Sequence, residues 1–594
     1  MKKLAIFTTL LAALFAFNAC SEEDYESKYR DPSKINSVTL DKLMSGTLIK
    51  ANDWAMTTYG RYFGYEPQLM LKFSQTLGFT LDPGIYYHDE YKDYGQPYNN
   101  YPSMVANYRK MQQVYEDLPD DEKPANYAYL IATETHLYGM MLYILAEYDD
   151  IPFSEIGEVA LTGDIAYSSP HFENGQTLYS NILDRLGELA NEFKTVQKPG
   201  SFAQQDVVNH GDLYKWQVYA NCLRLRGALK VSTQGPLASK GQAIIKEILD
   251  GGYPIVENTD DAIEMYREST GPLCHQGGSG FDWHNLQTAS DQVINRMMKE
   301  GDGGQWHEGE DDPRLPLLYC MATKNGEMPV DTPAEEVVNP TSLKDGKAVP
   351  SVYRGASSTT DYDTYQNMFF TRVNRGYYSR IRRNGFFWNN HNWSHQIIPA
   401  YEMWFIRAEA YLRGWASGDA KTAFTRAISE NIKLIFKHQN NRSHTEADFA
   451  GDTDYLNGAQ QRATIDPDQS IYNEAWITNF ANDRWTTHID GTPYTNDSQF
   501  GGKLEAIMEQ KWLAFGFMAG GEQWGDMRRT GLPRLTYARD IDSMAETPYP
   551  ANRLRYIDNE RTYNVNFQDE VGSKDNYSDV LFWAIKDWYD GPKY

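Results

Sequence analysis

Apolar residues recur at helical spacing along much of this chain. Leu504, Ile507, Met508, Trp512 and Phe515 share one helical face, with Glu505, Glu509 and Lys511 on the other sides. From Asn126 to Tyr148 the period is kept by Leu130, Leu137, Met140, Met141, Ile144, Leu145 and Tyr148, and Leu178, Ile182, Leu186, Leu189 and Phe193 repeat it. Trp216 to Val231 and Gly241 to Leu249 predict a further helix pair, joined across Gly235-Pro236. The pattern predicts a mainly α protein. It lapses over residues 251–290, 301–399, 440–500 and 532–578, which are rich in Gly, Pro, Asn, Asp and aromatics. These read as long irregular insertions with short hairpin strands such as Ser351 to Arg354, and loops of that length are usually functional.

Between Pro399 and Ile435, Tyr401, Trp404, Phe405, Ala408, Tyr411 and Leu412 predict one helix. Gly414 and Gly418 end it, and Ala420, Phe424, Ala427 and Ile428 predict the next. Trp404, Ala408, Tyr411, Ala420, Phe424 and Ala427 stand at tetratricopeptide spacing, with Arg407 where that pattern has leucine and Ile432 where it has proline. One such pair cannot bury its own faces, so the earlier helix pairs are expected to stack on it. Further on, Gly516 and Gly520-Gly521 precede a segment that crowds Trp524, Asp526, Arg528 and Arg529 together. Two arginines can fork onto phosphate or carboxylate, but in so acidic a chain pairing with Asp526 and Glu522 is the better reading.

The 594 residues carry 81 acidic and 56 basic side chains, a net charge of −25, which argues against nucleic acid and against attraction to an anionic bilayer. The 42 tyrosines suit wet surfaces that hold polar ligands. At the N-terminus, Lys2 and Lys3 precede an apolar run from Leu4 to Phe17 and a small Ala19 before Cys20. The run is too short to span a bilayer and reads as an export signal over residues 1–19 that leaves Cys20 as a lipidated first residue, although Phe17 stands where leucine is usual. Cleavage near Ala19 to give a soluble exported protein is the alternative. Residues 20–36 read as a polar tether and 37–594 as the folded body. The remaining cysteines, Cys222, Cys274 and Cys320, allow at most one disulfide and match no zinc pattern.

Catalytic patterns are missing: there is no GxGxxG, no GxxxxGK[ST], no GxSxG and no HExxH. His391 and His395 sit four apart, but Asn392 and Trp393 intervene without a metalloprotease glutamate, and the expectation is no metal there. The acidic loops Glu308 to Asp312 and Asp452 to Asp454 offer oxygens that suit a structural calcium, though neither follows the EF-hand order and a solvated loop is the default. Three insertions share a stronger pattern. Phe281-Asp282-Trp283-His284-Asn285, Gln305-Trp306-His307-Glu308 and the 386–393 stretch with Trp388, Asn389, His391 and Trp393 set tryptophan among His, Asn and acids. Such groups suit carbohydrate, whose C–H faces cover indole rings while polar side chains bond its hydroxyls. Packing under their own loops is the competing reading for each ring. Tyr86 and Tyr87, ahead of the first long helix, are further candidates. DDPRL at Asp311 to Leu315 reads as structural, and His136 as a core histidine.

Several stretches resemble the SusD/RagB-like outer-membrane lipoproteins, in particular the nutrient-binding branch. They are the Cys20 signal with the acidic SEEDYE after it, YDDIPFSE at Tyr148 to Glu155, YKWQVYANCLRLRGAL at Tyr214 to Leu229, DDPRL, EMWFIRAEAYLRG at Glu402 to Gly414, and EQKWLAFGFMAGGEQWGDMRRTGLP at Glu509 to Pro533. Cys222 stands where serine is usual, and NRLRYIDNE at Asn552 to Glu560 follows the family's segment loosely. The resemblance implies a single-domain, mainly helical fold with tetratricopeptide-like pairs as its back and irregular loops as its front. It further implies a non-enzymatic, surface-exposed lid on a SusC-like TonB-dependent transporter, capturing oligosaccharide or peptide, without a cofactor. From a different class, a lipid-anchored glycoside hydrolase would need two cleft carboxyls about 5–10 Å apart. A third reading is a purely structural partner of the barrel.

Overall fold

The helical periodicity is realised in long helices whose ends carry the expected chemistry. In the computed structural model, residues 39–56, 58, 60–78, 86, 95–266, 288–319, 322–323, 350–357, 378–379, 381, 394–440, 474–540 and 547–592 are described. The main helices are α1 (Leu40–Lys50), α2 (Tyr101–Glu116), α3 (Lys123–Tyr148), α4 (Gly175–Glu192), α5 (Leu213–Val231) and α6 (Ala238–Asp250). They continue with α7 (Asp291–Met297), α8 (Ala400–Leu412), α9 (Ala420–Asn440), α10 (Glu474–Asp483), α11 (Lys503–Phe515) and α12 (Gly520–Thr530). Asp212 caps α5 by accepting from the Tyr214 and Lys215 amides at 2.9 and 3.1 Å, and Asn174 caps α4 through the Thr177 amide at 3.0 Å.

Neighbouring helices pack in pairs, α2 on α3, α4 and α6 on α5, and α9 on α8, while α11 joins α8 to α12. Strands β1 (Ile151–Pro152), β2 (Phe172–Glu173), β3 (Ile263–Tyr266), β4 (Ala322–Thr323), β5 (Pro350–Val352) and β6 (Ser394–Ile398) form three antiparallel ribbons, β1–β2, β3–β6 and β4–β5. In the α8–α9 pair the small residues do what their spacing predicts. Ala408 and Ala427 are fully buried, Phe405 meets Phe424 edge-on at 6.3 Å, and Gly418 lies so close that a Cβ there would be 2.4 Å from the Tyr411 ring. Arg407, standing where leucine was expected, lies 4.2 Å over the Trp404 ring and pairs with Glu257 at 2.6 Å, so this position faces polar neighbours.

The segment from α11 to α12 departs from its simplest reading. Glu505, Glu509 and Lys511, set on the other sides of α11 by the pattern, are buried as well, and each is paired. Lys511 bonds Asp526 at 2.7 Å, while Glu509 takes Arg296 at 3.2 Å and His488 at 2.9 Å. Arg529 forks onto both Glu409 oxygens at 2.6 and 2.7 Å and onto Asp526 at 2.9 Å, joining α12 to α8. The expected Asp526 pairing is therefore present, but Glu522 bonds Lys230 at 3.1 Å instead of an arginine of its own helix. Arg528 lies 3.3 Å over Trp524 and 4.8 Å over Trp583 and donates to the Asn552 carbonyl at 3.0 Å. Gly525 is what admits Lys230, whose Nζ would be 2.1 Å from a Cβ placed there. The indole N–H groups of Trp512 and Trp524 donate to the Ser74 and Ala551 carbonyls at 2.9 and 3.0 Å, tying the segment to both ends of the chain.

Two single residues behave as core groups. His136 is fully buried against Trp54 and Tyr219, and burial pulls its pKa down to about 3. The Cys222 sulfur accepts from the Val256 amide at 3.3 Å, while Cys274 and Cys320 lie outside the described residues.

The buried carboxylates set the acid limit of this fold. Burial alone would raise Glu409, but Arg529 and Arg413 outweigh it and hold the group at about 2; Lys511 and Arg529 outweigh burial at Asp526 in the same way. A depressed folded-state pKa contributes stability above the unfolded value, so it is lost as pH falls from about 4 towards 2. Urea unfolding at pH 7, 4 and 3 is expected to show that loss. Glu409→Ala, which strands Arg529 in the core, is expected to cost about 3–5 kcal/mol at pH 7, and an unchanged midpoint would contradict the assigned pairing.

Candidate functional site

The insertions that carry the tryptophan pattern leave the helical body from shared roots. Tyr266, the last residue of β3, is paired with Ser394, the first of β6. The 267–287 stretch, with Trp283, His284 and Asn285, thus departs where the 382–393 stretch, with Trp388 and Trp393, returns. Their other ends meet too. The Ala289 amide donates to the Ser379 carbonyl at 2.8 Å, the Ala356 amide to the Ala289 carbonyl at 2.8 Å, and the Ser379 amide to the Arg354 carbonyl at 2.7 Å, with Ile381 bridged to Tyr319. Trp283, His284, Asn285, Trp388, Trp393 and Tyr87 themselves lie outside the described residues.

The Trp306 loop joins the same knot. The Gly303 amide donates to the Tyr353 carbonyl at 2.8 Å, the Tyr353 amide to the Gly304 carbonyl at 3.0 Å, and the Gly355 amide to Asp302 at 2.5 Å. Asp311, fully buried, closes the loop by accepting from the Lys299 and His307 amides at 2.7 and 2.6 Å. Burial pushes this carboxyl above the usual range, and those two amides pull it back. Beside it, Asp312 bonds Arg314 at 2.6 Å, and Arg314 continues to Asn431 on α9 at 3.1 Å and Gln510 on α11 at 2.8 Å. DDPRL is therefore the rivet between the loop and the helical back. It also commits both aspartates of the acidic 308–312 loop, and no group of three or more potential metal ligands gathers among the described residues.

On this support Trp306 is half-buried, its ring 6.2 Å from that of Trp476 and inclined at 54°. Its indole N–H is enclosed and has no hydrogen-bond partner among the described residues. His307 and Glu308 beside it are exposed. The arrangement offers an indole, an imidazole and a carboxylate on one fixed turn, a set that recognises neutral polyols. Trp476, at the start of α10, was not singled out by the sequence, since one aromatic in an apolar helical stretch carries no signal of which partner it meets.

Tyr86, expected as a ligand contact, sits elsewhere. It is fully buried, its hydroxyl donates to the Ala538 carbonyl at 2.5 Å and its ring packs against Tyr537, so burial raises its pKa and no face is open to a ligand. A separate groove of about 530 Å³ lies between α5, α6 and the 252–258 connection, with Tyr214 at its edge. Several of its polar groups are committed, Arg407 to Glu257 and Asn258 to Asp261 and Arg426, which leaves the loop face as the better candidate.

A family model described as starch-binding and associating with the outer membrane matches residues 32–556. The chain belongs to the SusD-like family. Members of that family are nutrient-binding proteins of the outer membrane. The SusD-like fold is equally plain in solved structures. A chitin-binding protein superposes with a TM-score of 0.64 at 18% identity, over 91% of this chain and 100% of that one. An outer-membrane protein of Bacteroides vulgatus described as involved in nutrient binding gives 0.61 at 16% identity, over 92% and 100%. A SusD-like protein of Bacteroides thetaiotaomicron gives 0.57 at 20% identity, over 93% and 100%. No curated protein matches the chain.

Because Asp311 satisfies two amides at once, Asp311→Ala is expected to destabilise the fold by about 2–4 kcal/mol, from two unpaired donors. Asn, which keeps one acceptor oxygen, is expected to cost less. Urea unfolding of both variants checks the order, and equal midpoints for Asp311→Ala and the parent chain would refute it.

Proposed function

We propose that this SusD-like protein is a lipid-anchored, surface-exposed binding protein that captures oligosaccharide and acts as the lid of a SusC-like TonB-dependent transporter. The common rooting of the two tryptophan-bearing stretches beside the Trp306 loop carries this reading. Three segments that set indoles among His, Asn and acids start from one knot of backbone hydrogen bonds, the way a preorganised site is built. The starch-binding description of the family and the chitin-binding neighbour support carbohydrate as the ligand class.

In this reading Cys20 carries the lipid and residues 20–36 hold the body clear of an envelope surface that its net charge of −25 disfavours. Binding without turnover suits a lid: the ligand is held by ring faces and hydroxyl contacts, and then released into the channel below. Peptide capture and glycan hydrolysis are the competing outcomes of the test.

Isothermal titration with maltooligosaccharides, chitooligosaccharides and a defined peptide pool separates them. Glycan binding is expected, with Trp283→Ala and Trp388→Ala each weakening it about tenfold, about 1.4 kcal/mol, at an unchanged thermal midpoint. Binding of peptides alone, or release of reducing ends from the glycans, would overturn it. Cys20→Ser is expected to shift the protein out of the membrane fraction.

A further inference from the structure

Four large apolar side chains stand in water among the described residues, and all but Tyr214, at the edge of the α5–α6 groove, fall on adjoining segments. Ile165 is 77% exposed, Tyr563 74% and Val565 79%, and these three lie on two segments that meet although some 400 residues separate them in sequence. The Asn564 and Asn566 side-chain amides donate to the Pro170 and Ser169 carbonyls at 2.9 and 2.7 Å. Glu570 pairs with His171 at 2.5 Å and accepts from the Phe172 amide at 2.8 Å. Beneath this seam, Phe172 packs on Tyr556 and Phe567 with centroids 5.5 and 6.1 Å away. Polar side chains between the exposed residues are thus spent on fixing the backbone, while Ile165, Tyr563 and Val565 are left outside. A rigid platform that exposes aliphatic and aromatic groups loses hydration free energy unless something covers it.

The charges around the platform narrow down what covers it. Glu158, Asp164 and Asp569 lie within seven positions of the exposed residues in sequence, as do Asp558 and Glu570, which Arg561 and His171 offset. Against them stands Arg561, which is already paired with Asp558 and Asp575, and His171, which is held by Glu570. Such a rim repels an anionic bilayer, and a second copy would set like charges against each other. We infer that the surface bearing Ile165, Tyr563 and Val565 docks a protein partner whose contact face is apolar at its centre and lined by lysine and arginine at its edge.

That the partner is the transporter rests on the function proposed above; the location and chemistry of the surface do not. The test uses the full-length lipoprotein co-expressed with its cognate outer-membrane transporter, both extracted in mild detergent. Ile165→Glu with Val565→Glu keeps the fold, since both side chains are in water. Co-purification is expected to drop at least tenfold in the double variant, wild-type binding to weaken with added salt, and glycan affinity to stay unchanged. If the double variant co-purifies as well as wild type, the docking surface is wrong while the lid reading stands. If wild type does not bind the transporter in the same extract, both fall. Wild-type self-association, or sedimentation with phosphatidylglycerol vesicles, that the double variant loses would overturn the choice of partner.

Discussion

The fork of Arg529 onto Glu409 and Asp526, with Lys511 closing the far side of Asp526, is the constraint on which the other packing depends. These groups are buried, so none can be left unpaired without a penalty that exceeds an ordinary surface contact many times over. The pairs are also directional. A planar guanidinium donates to its two carboxylates in few orientations, which fixes α12 against α8 and α11 in register as well as in contact. Apolar packing alone would tolerate sliding. Here sliding by one turn would bury unmatched charge.

Opposite behaviour at a nearby site shows how finely the balance lies. Glu147 is buried without an arginine on its carboxylate; burial raises its pKa above the usual range while a Tyr65 hydrogen bond lowers it. A raised carboxyl pKa makes stability fall as pH rises through and beyond about 4.5, the reverse of Glu409. The fold therefore carries acid-labile and alkali-labile carboxyls within one core. The lattice reaches the loop face through Arg314, which holds Asp312 at the root of the Trp306 loop and, in the same fork, side chains of α9 and α11. Whatever the loops bind, their roots cannot shift without disturbing helices of the back.

Much of the fold was legible because helical period and small-residue spacing act locally. Ala408, Phe424 and Ala427 sit where the tetratricopeptide spacing put them, and Trp512 is buried with the rest of the apolar face that the helical period assigned to it. The ion pairs were legible only in kind. Arg529 was rightly given to Asp526, but its stronger partner, Glu409, lies 120 residues away on another helix, and no local pattern reports it. Tyr86 shows the same limit from the other side, since a tyrosine-rich, glycine-punctuated stretch looks alike whether its rings face a ligand or the Ala538 carbonyl. The shared roots of the tryptophan stretches were equally hidden, because they arise from β3 meeting β6 and from Ala289 meeting Ser379 across long sequence separations.

Charge and recognition are divided between different parts of this molecule. A neutral oligosaccharide, the ligand proposed, would be held by ring faces and hydrogen bonds, so a net charge of −25 would cost its capture little. The same charge acts at longer range on macromolecules. It opposes approach to any anionic surface and makes an apolar platform with an acidic rim selective for a basic counterpart. The pairs of the α11–α12 lattice leave that outer charge as it is, because each buried cation goes in with a carboxylate, Lys511 with Asp526 and Arg529 with Glu409. Lys511 and Arg529 therefore hold the helices in register without altering the acidic balance that the exterior presents.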